Sequence, residues 1–241
     1  MRLDKALSLA GHTRSEAKKL ISQGRVCVNG TPVRDPGLHV KPEEVLVDGR
    51  GIAAEEEIYL MIHKPAGVVT ATEDKRLPTV VSLLPESLQR RKIGPVGRLD
   101  RDVTGLVLLT TNGQLAHRLI SPKWKAEKQY RARCEGRLTA NEVEAFAQGI
   151  SLSDFTARPA RLILLETGAE GSTADVVLTE GKFHQVKRMF AAVGHPLVAL
   201  ERLRIGPLAL DPILGPGQWR HLTEGEADAL YTSCQMKSGE D

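Results

Sequence analysis

Apolar and polar positions change their period several times along this chain, and each change marks an element. Leu3, Leu7 and Ala10 recur at helical spacing, and Gly11 ends that helix. Thr13 with Glu16 three residues on is a capping box. The helix it opens turns Ala17, Leu20 and Ile21 inward and Arg14, Lys18 and Lys19 outward. Two short strands follow, Arg25-Val26-Cys27-Val28 into Asn29-Gly30, and Val45-Leu46-Val47 into Asp48-Gly49. Residues 51–57, Gly-Ile-Ala-Ala-Glu-Glu-Glu, read as a polar, acidic connector.

From Ile58 the pattern restarts with a strand broken at Pro65. Leu106 to Leu109 is a short, continuous apolar run bounded by Asn112-Gly113, the mark of a buried strand ending in a turn. Gln114 to Ile120 predicts a short amphipathic helix stopped by Pro122. Residues 125–134 alternate near their end, with Tyr130, Ala132 and Cys134 on one face. Thr139 and Glu142 form another capping box, for a helix anchored by Val143 and Phe146. Strands are predicted at 159–166, 173–179, 198–205 and 217–222. Residues 180–190 open a helix with Val186, Phe190 and Val193 as its core face. Lys182, Lys187 and Arg188 lie near its positive end, and Gly194 and Pro196 close it. The tail from Ser233 is polar and is expected to fray. Strands and helices are mixed without strict alternation, which predicts an α+β fold.

The 241 residues, 41% of them hydrophobic, suffice for one or two cores. The expected units are 1–50, the connector 51–57, and 58–241. Net charge is only +3, but residues 1–34 hold seven basic and two acidic side chains, which leaves the remainder near −2. A basic head on a near-neutral body suggests a polyanion partner. The three cysteines are far apart, so neither a zinc site nor a disulfide framework is predicted. No secretory h-region or membrane-length apolar run is seen, and a reducing cytoplasm is the expected setting. No Gly-x-Gly-x-x-Gly or Walker-type loop is present, which argues against a nucleotide cofactor.

The chemistry concentrates in Gly97-Arg98-Leu99-Asp100-Arg101-Asp102-Val103-Thr104-Gly105, a charged loop at the mouth of the buried strand. The pattern resembles the central motif of the pseudouridine synthases, in the branch typified by RsuA, with Val103 where Thr is common. Residues 63–67, His-Lys-Pro-Ala-Gly, resemble the opening of that catalytic domain, with His63 where Asn is common. Arg2-Leu3-Asp4-Lys5, Thr13-Arg14-Ser15 and Gly24-Arg25-Val26-x-Val28-Asn29-Gly30 look like an S4 RNA-binding domain. His184-Gln185-Val186-Lys187-Arg188-Met189-Phe190 and Val193-Gly194-His195-Pro196 look closest to the RsuA type, which acts on small-subunit ribosomal RNA.

The resemblance implies a small S4 domain followed by a mixed, mostly antiparallel catalytic sheet. It implies Asp100 as the essential carboxylate, Lys187 as the cation that keeps it charged, Tyr130 as the ring that stacks on the base, and Leu200 as an apolar wall. Arg98 either reaches RNA phosphate, fills the gap left by the flipped base, or pairs with Asp102. Asp102 is expected to bond loop amides. Arg14, Lys18 and Lys19, extended by Arg2, Lys5, Arg25 and Arg34, are the expected phosphate contacts of the head. His184 and His195 match no ligand spacing and are expected to be structural, with no metal. The expected activity is isomerisation of one uridine in 16S ribosomal RNA by a monomer without cofactor, on free RNA or a small-subunit assembly intermediate. The alternatives are a large-subunit target, or an RNA-binding assembly protein that does not catalyse.

Overall fold

A computed structural model describes residues 1–52, 57–121, 124 and 126–236. The chain divides into two compact units, with the boundary between Glu57 and Ile58. In the first, α1 (Leu3–Leu9) and α2 (Arg14–Ser22) precede β1 (Val26–Val28), β2 (Thr31–Pro32), a 3-10 turn (Pro42–Glu44), β3 (Val45–Val47) and β4 (Arg50–Gly51). The sheet is antiparallel, in the order β2-β1-β3-β4. The capping box at Thr13 forms as its spacing requires: Thr13 Oγ1 accepts the Glu16 amide at 3.1 Å, and Glu16 Oε2 accepts the Thr13 amide at 2.6 Å. Leu3, Leu7, Ala17, Leu20, Ile21, Val26 and Val45 make the core. Gly51, taken for connector, belongs to β4; connector residues 53–56 lie outside the described residues.

The second unit runs β5 (Tyr59–Lys64), α3 (Glu86–Gln89), β6 (Gly94–Val96), β7 (Thr104–Thr110), α4 (Gly113–Ile120), β8 (Lys128–Glu135), α5 (Ala140–Gln148), β9 (Arg161–Thr167), β10 (Gly171–Leu178), α6 (Gln185–Ala192), β11 (Leu197–Ile205), β12 (Leu208–Ala209), β13 (Trp219–His221) and α7 (Glu224–Ser233). The strands form one mixed sheet in the order β13-β5-β7-β11-β8-β10-β9, with β6 also on β7 and β12 on β11. Every pairing between these strands is antiparallel except β7 with β11, where Thr104 faces Glu201 and Gly105 faces Arg202. Gly105 has φ +104°, and a Cβ there would lie 2.5 Å from the Arg202 nitrogen. Only glycine lets the two backbones approach this closely.

β7 is apolar on both sides because both faces of the sheet are covered. Val107 and Leu109 join Leu60, Ile62, Ala132, Phe146, Val176 and Phe190, whereas Leu106 and Leu108 join Met61, Leu115, Leu119, Leu230 and Tyr231. On β8 the alternation is single: Tyr130, Ala132 and Cys134 are buried, and Arg131, Arg133 and Glu135 are exposed.

Several expectations change. α6 starts at Gln185, so Glu180 to His184, Lys182 included, form the loop before it. α4 ends at Ile120 with Ser121 as its cap; Pro122, the expected stop, lies outside the described residues, as does Lys125. The tail does not fray at Ser233: that residue closes α7, Cys234 is buried, and Arg118 donates to the Cys234 carbonyl at 2.8 Å. Residues 237–241 lie outside the described residues. All three cysteines are free thiols. Among the described residues no helix is long and apolar enough to cross a membrane.

Candidate active site

The loop between β6 and β7 is held from several sides. Thr70 Oγ1 donates to the Leu99 carbonyl at 2.9 Å and accepts the Leu99 amide at 3.1 Å. The Gly67 amide donates to Arg101 O at 2.8 Å. Lys64, on the same face of β5 as Leu60 and Ile62, has no solvent exposure. Its ammonium donates to Pro65 O at 2.9 Å, Arg101 O at 3.1 Å and Val103 O at 2.7 Å. Burial pushes the amine down to about 8, against the opposing pull of Asp102 and Asp100. A buried cation thus fixes the carbonyls on either side of Asp102, and with them the direction of the Asp100 side chain.

The facing wall comes from the start of α6. Gln185 is buried; its Oε1 accepts the Lys182 amide at 2.9 Å, and its Nε2 donates to Glu180 Oε1. Glu180 Oε1 also accepts the Arg158 amide at 2.9 Å. The backbone then turns through His184 at φ +49° into the helix. This turn brings two basic side chains to one carboxylate: Lys187 Nζ lies 3.4 Å from Asp100 Oδ2, and His184 Nε2 lies 3.4 Å from Asp100 Oδ1.

Asp100 opens on a small cavity of about 70 Å³, lined by Arg98, Tyr130, Gln185, Lys187 and Leu200 among others. The five site residues expected in this unit, Arg98, Asp100, Tyr130, Lys187 and Leu200, therefore meet in one place. Tyr130 and Leu200 are each 7% exposed.

Three details depart from expectation. Both Asp102 oxygens accept from Lys187, at 2.7 and 2.8 Å, a partner the loop-amide reading did not name. That bond holds the Asp102 carboxyl below its usual range. Arg98 is exposed and, among the described residues, has no ion pair, so the pairing with Asp102 is not made. His184, expected to be structural, touches Asp100. The His-Gln pair heading the helix was the available signal, but only the left-handed turn shows where the ring goes. His195 does act structurally, its Nδ1 2.9 Å from the Glu135 carbonyl oxygen. No cluster of three or more potential metal ligands occurs among the described residues.

Residues 58–192 match the family model for RNA pseudouridylate synthase. The chain belongs to this family. Residues 1–46 match the S4 domain. The synthase is 44% identical to an uncharacterized RNA pseudouridine synthase of Aquifex aeolicus, over 95% of this chain and 96% of that one. It is 43% identical to ribosomal small subunit pseudouridine synthase A of Vibrio parahaemolyticus, over 96% of this chain and all of that protein. A crystal structure of a pseudouridylate synthase superposes with a TM-score of 0.68 at 38% identity, covering 95% of this chain and 99% of the other.

In the head of the synthase the expected RNA contacts divide. Arg14, Lys18, Lys19 and Arg34 are exposed. Arg2 is held by Asp4, at 3.0 and 2.8 Å, and Arg25 is held bidentately by Asp48. Lys5 is half-buried on α1. The outward face of α2 is thus the part of the expected surface whose charges are most open to phosphates.

Proposed function

We propose that the synthase isomerises one uridine of 16S ribosomal RNA, with Asp100 as its catalytic carboxylate. The observation that carries this reading is the convergence of Asp100, Tyr130, Lys187 and Leu200 on one cavity. The small-subunit target is supported by the naming of relatives such as those of Vibrio parahaemolyticus and Escherichia coli, 43% and 41% identical.

The reaction breaks the N1–C1′ bond, turns the base and rejoins it through C5, with the C5 hydrogen leaving as a proton and N1 taking one up, so atoms and electrons balance and no redox partner is consumed. The target base first leaves its stack. Attack on C1′ and removal of the C2′ proton both begin from an ionised carboxylate at the sugar. Asp100 supplies it, with Lys187 as counter-charge and the His184 ring beside it. Tyr130 stacks on the freed base, a contact worth about 1–3 kcal/mol, and Leu200 closes the opposite side. Arg98, exposed at the rim, reaches a phosphate or the gap left in the stack. Residues 1–50 hold structured RNA through Arg14, Lys18, Lys19 and Arg34, while 58–241 carry out the chemistry. The RNA is met free or within a small-subunit assembly intermediate.

Asp100→Asn should lower pseudouridine formation by more than about a thousandfold and leave RNA affinity within about twofold. Turnover near wild type rejects Asp100. A modification scan of ribosomal RNA from a deletion strain tests the target. Loss of a 16S pseudouridine supports the reading, loss of a 23S one moves the target to the large subunit, and an unchanged map with defective subunits supports the assembly role.

A further inference from the structure

Beside the Asp100 cavity lies a larger hollow of about 300 Å³, sharing Arg98 and Tyr130 with it. That is within the range of small-ligand sites. Its lining carries five cations, Arg98, Lys128, Arg158, Lys182 and Arg202, against one carboxylate, Glu180. Glu180 Oε1 is already occupied by the Arg158 amide and Gln185, and Oε2 lies 4.0 Å from Arg158 Nε.

Arg202 is the unusual member. It faces Tyr130 across the β11–β8 ladder and is 2% exposed. Its Nε donates to the Leu106 carbonyl at 2.8 Å, but its Nη2 is buried without a hydrogen-bond partner. Among the described residues no carboxylate pairs with it. Lys128, bonded through Nζ to the Ala126 carbonyl at 2.9 Å, is its neighbour, and their repulsion joins burial in lowering the Lys128 pKa. Buried cations are ordinarily paired, because an uncompensated one is strongly destabilising. Here one guanidinium nitrogen, Nη2, is left without a partner in a wall that is otherwise positive. A planar guanidinium is the side chain suited to two-point capture of an anion.

We infer that this hollow is an anion subsite built on Arg202 and Lys128, and that its ligand is a phosphodiester of the RNA strand that carries the target uridine. The inference rests on the reading of the Asp100 cavity as the uridine site. The shared Tyr130 wall then places the held phosphate next to the stacked base. Arg202 and Lys128 thereby determine where along the strand the sugar comes to rest against Asp100.

The test uses full-length protein and a fluorescent single-stranded decauridylate, titrated across about 50 to 200 mM salt. Arg202→Gln and Lys128→Gln should each weaken binding about tenfold or more at the low-salt end. Each should also reduce the magnitude of the salt slope by about 0.7, one phosphate contact on a single strand. Arg202→Lys should recover the slope but only part of the affinity. Unchanged slope and affinity in both glutamine variants overturn the inference. Should Arg202→Gln fail to fold, the Lys128→Gln result alone decides in the same way. If inorganic phosphate raises the melting temperature of wild type but not of the variants, while the RNA slopes stay equal, the site takes free phosphate and the phosphodiester assignment is overturned. Asp100→Asn separates the two readings, since it should keep the wild-type slope. If that variant also kept its turnover, the uridine-site reading would fail even with a positive slope result.

Discussion

At the scale of single residues, the least conspicuous side chain organises the most. A lysine after Tyr59-Leu60-Met61-Ile62 reads in sequence as the polar end of a strand, and resemblance alone set Lys64 within a motif. Its depth follows from its register with Leu60 and Ile62, but two of its three carbonyl acceptors, on Arg101 and Val103, lie in a loop about forty residues away and have no local signature. Lys64→Met should cost about 3 kcal/mol or more in denaturant unfolding, since it strands buried carbonyls. It should also lower turnover more than RNA affinity, because the Asp100 loop loses its anchor. Equal stability of the two proteins would contradict that role. The cavity side chains were named from the motif, whereas the pairing of Lys187 with Asp102 and the approach of His184 to Asp100 depend on the three-dimensional turn before α6.

Among elements, legibility followed periodicity. The continuous run of β7 and the alternation of β8 report two covered faces and one, and both were readable. The capping boxes at Thr13 and Thr139 announced α2 and α5. The same box at Thr223, with Glu226, went unread because the helix behind it, Glu-Gly-Glu-Ala-Asp-Ala-Leu-Tyr-Thr-Ser, has a weak apolar stripe. Tertiary bonds secure it instead. Arg220 grips Glu226 at 2.7 Å through both terminal nitrogens and Asp211 at 2.6 Å through Nε. Glu226 is thereby held at about 2, against an ordinary 4.5. Between those values the unfolded chain binds the extra proton. The contribution is therefore complete above about pH 4.5 and lost as pH falls toward 2. Glu226→Gln should flatten that part of the acid stability curve and leave the slope above pH 5 unchanged, as followed by urea unfolding at stepped pH. A wild-type slope in the variant would remove this pair from the account of α7.

For the whole molecule, the division at Glu57 and the charge of the head lead to one expectation. A protein starting at Ile58 should keep its own cooperative unfolding transition. Its magnitude of RNA salt slope should fall by about 3, the share of Arg14, Lys18, Lys19 and Arg34 at about 0.7 each. A slope equal to that of the full chain would mean that α2 makes no phosphate contacts. The sheet of the larger unit carries a consequence of another kind. β5, β6 and β7 form one partial sheet and β8, β9 and β10 another, and β11 alone bridges β7 to β8. α6 and β11 also bring Lys187 and Leu200. While the chain is still emerging from a ribosome, Asp100 is therefore present long before its surroundings. If Asp100 is the catalyst proposed above, nascent protein stays dormant until residue 205 has been made, so translation itself delays the first use of this carboxylate on RNA.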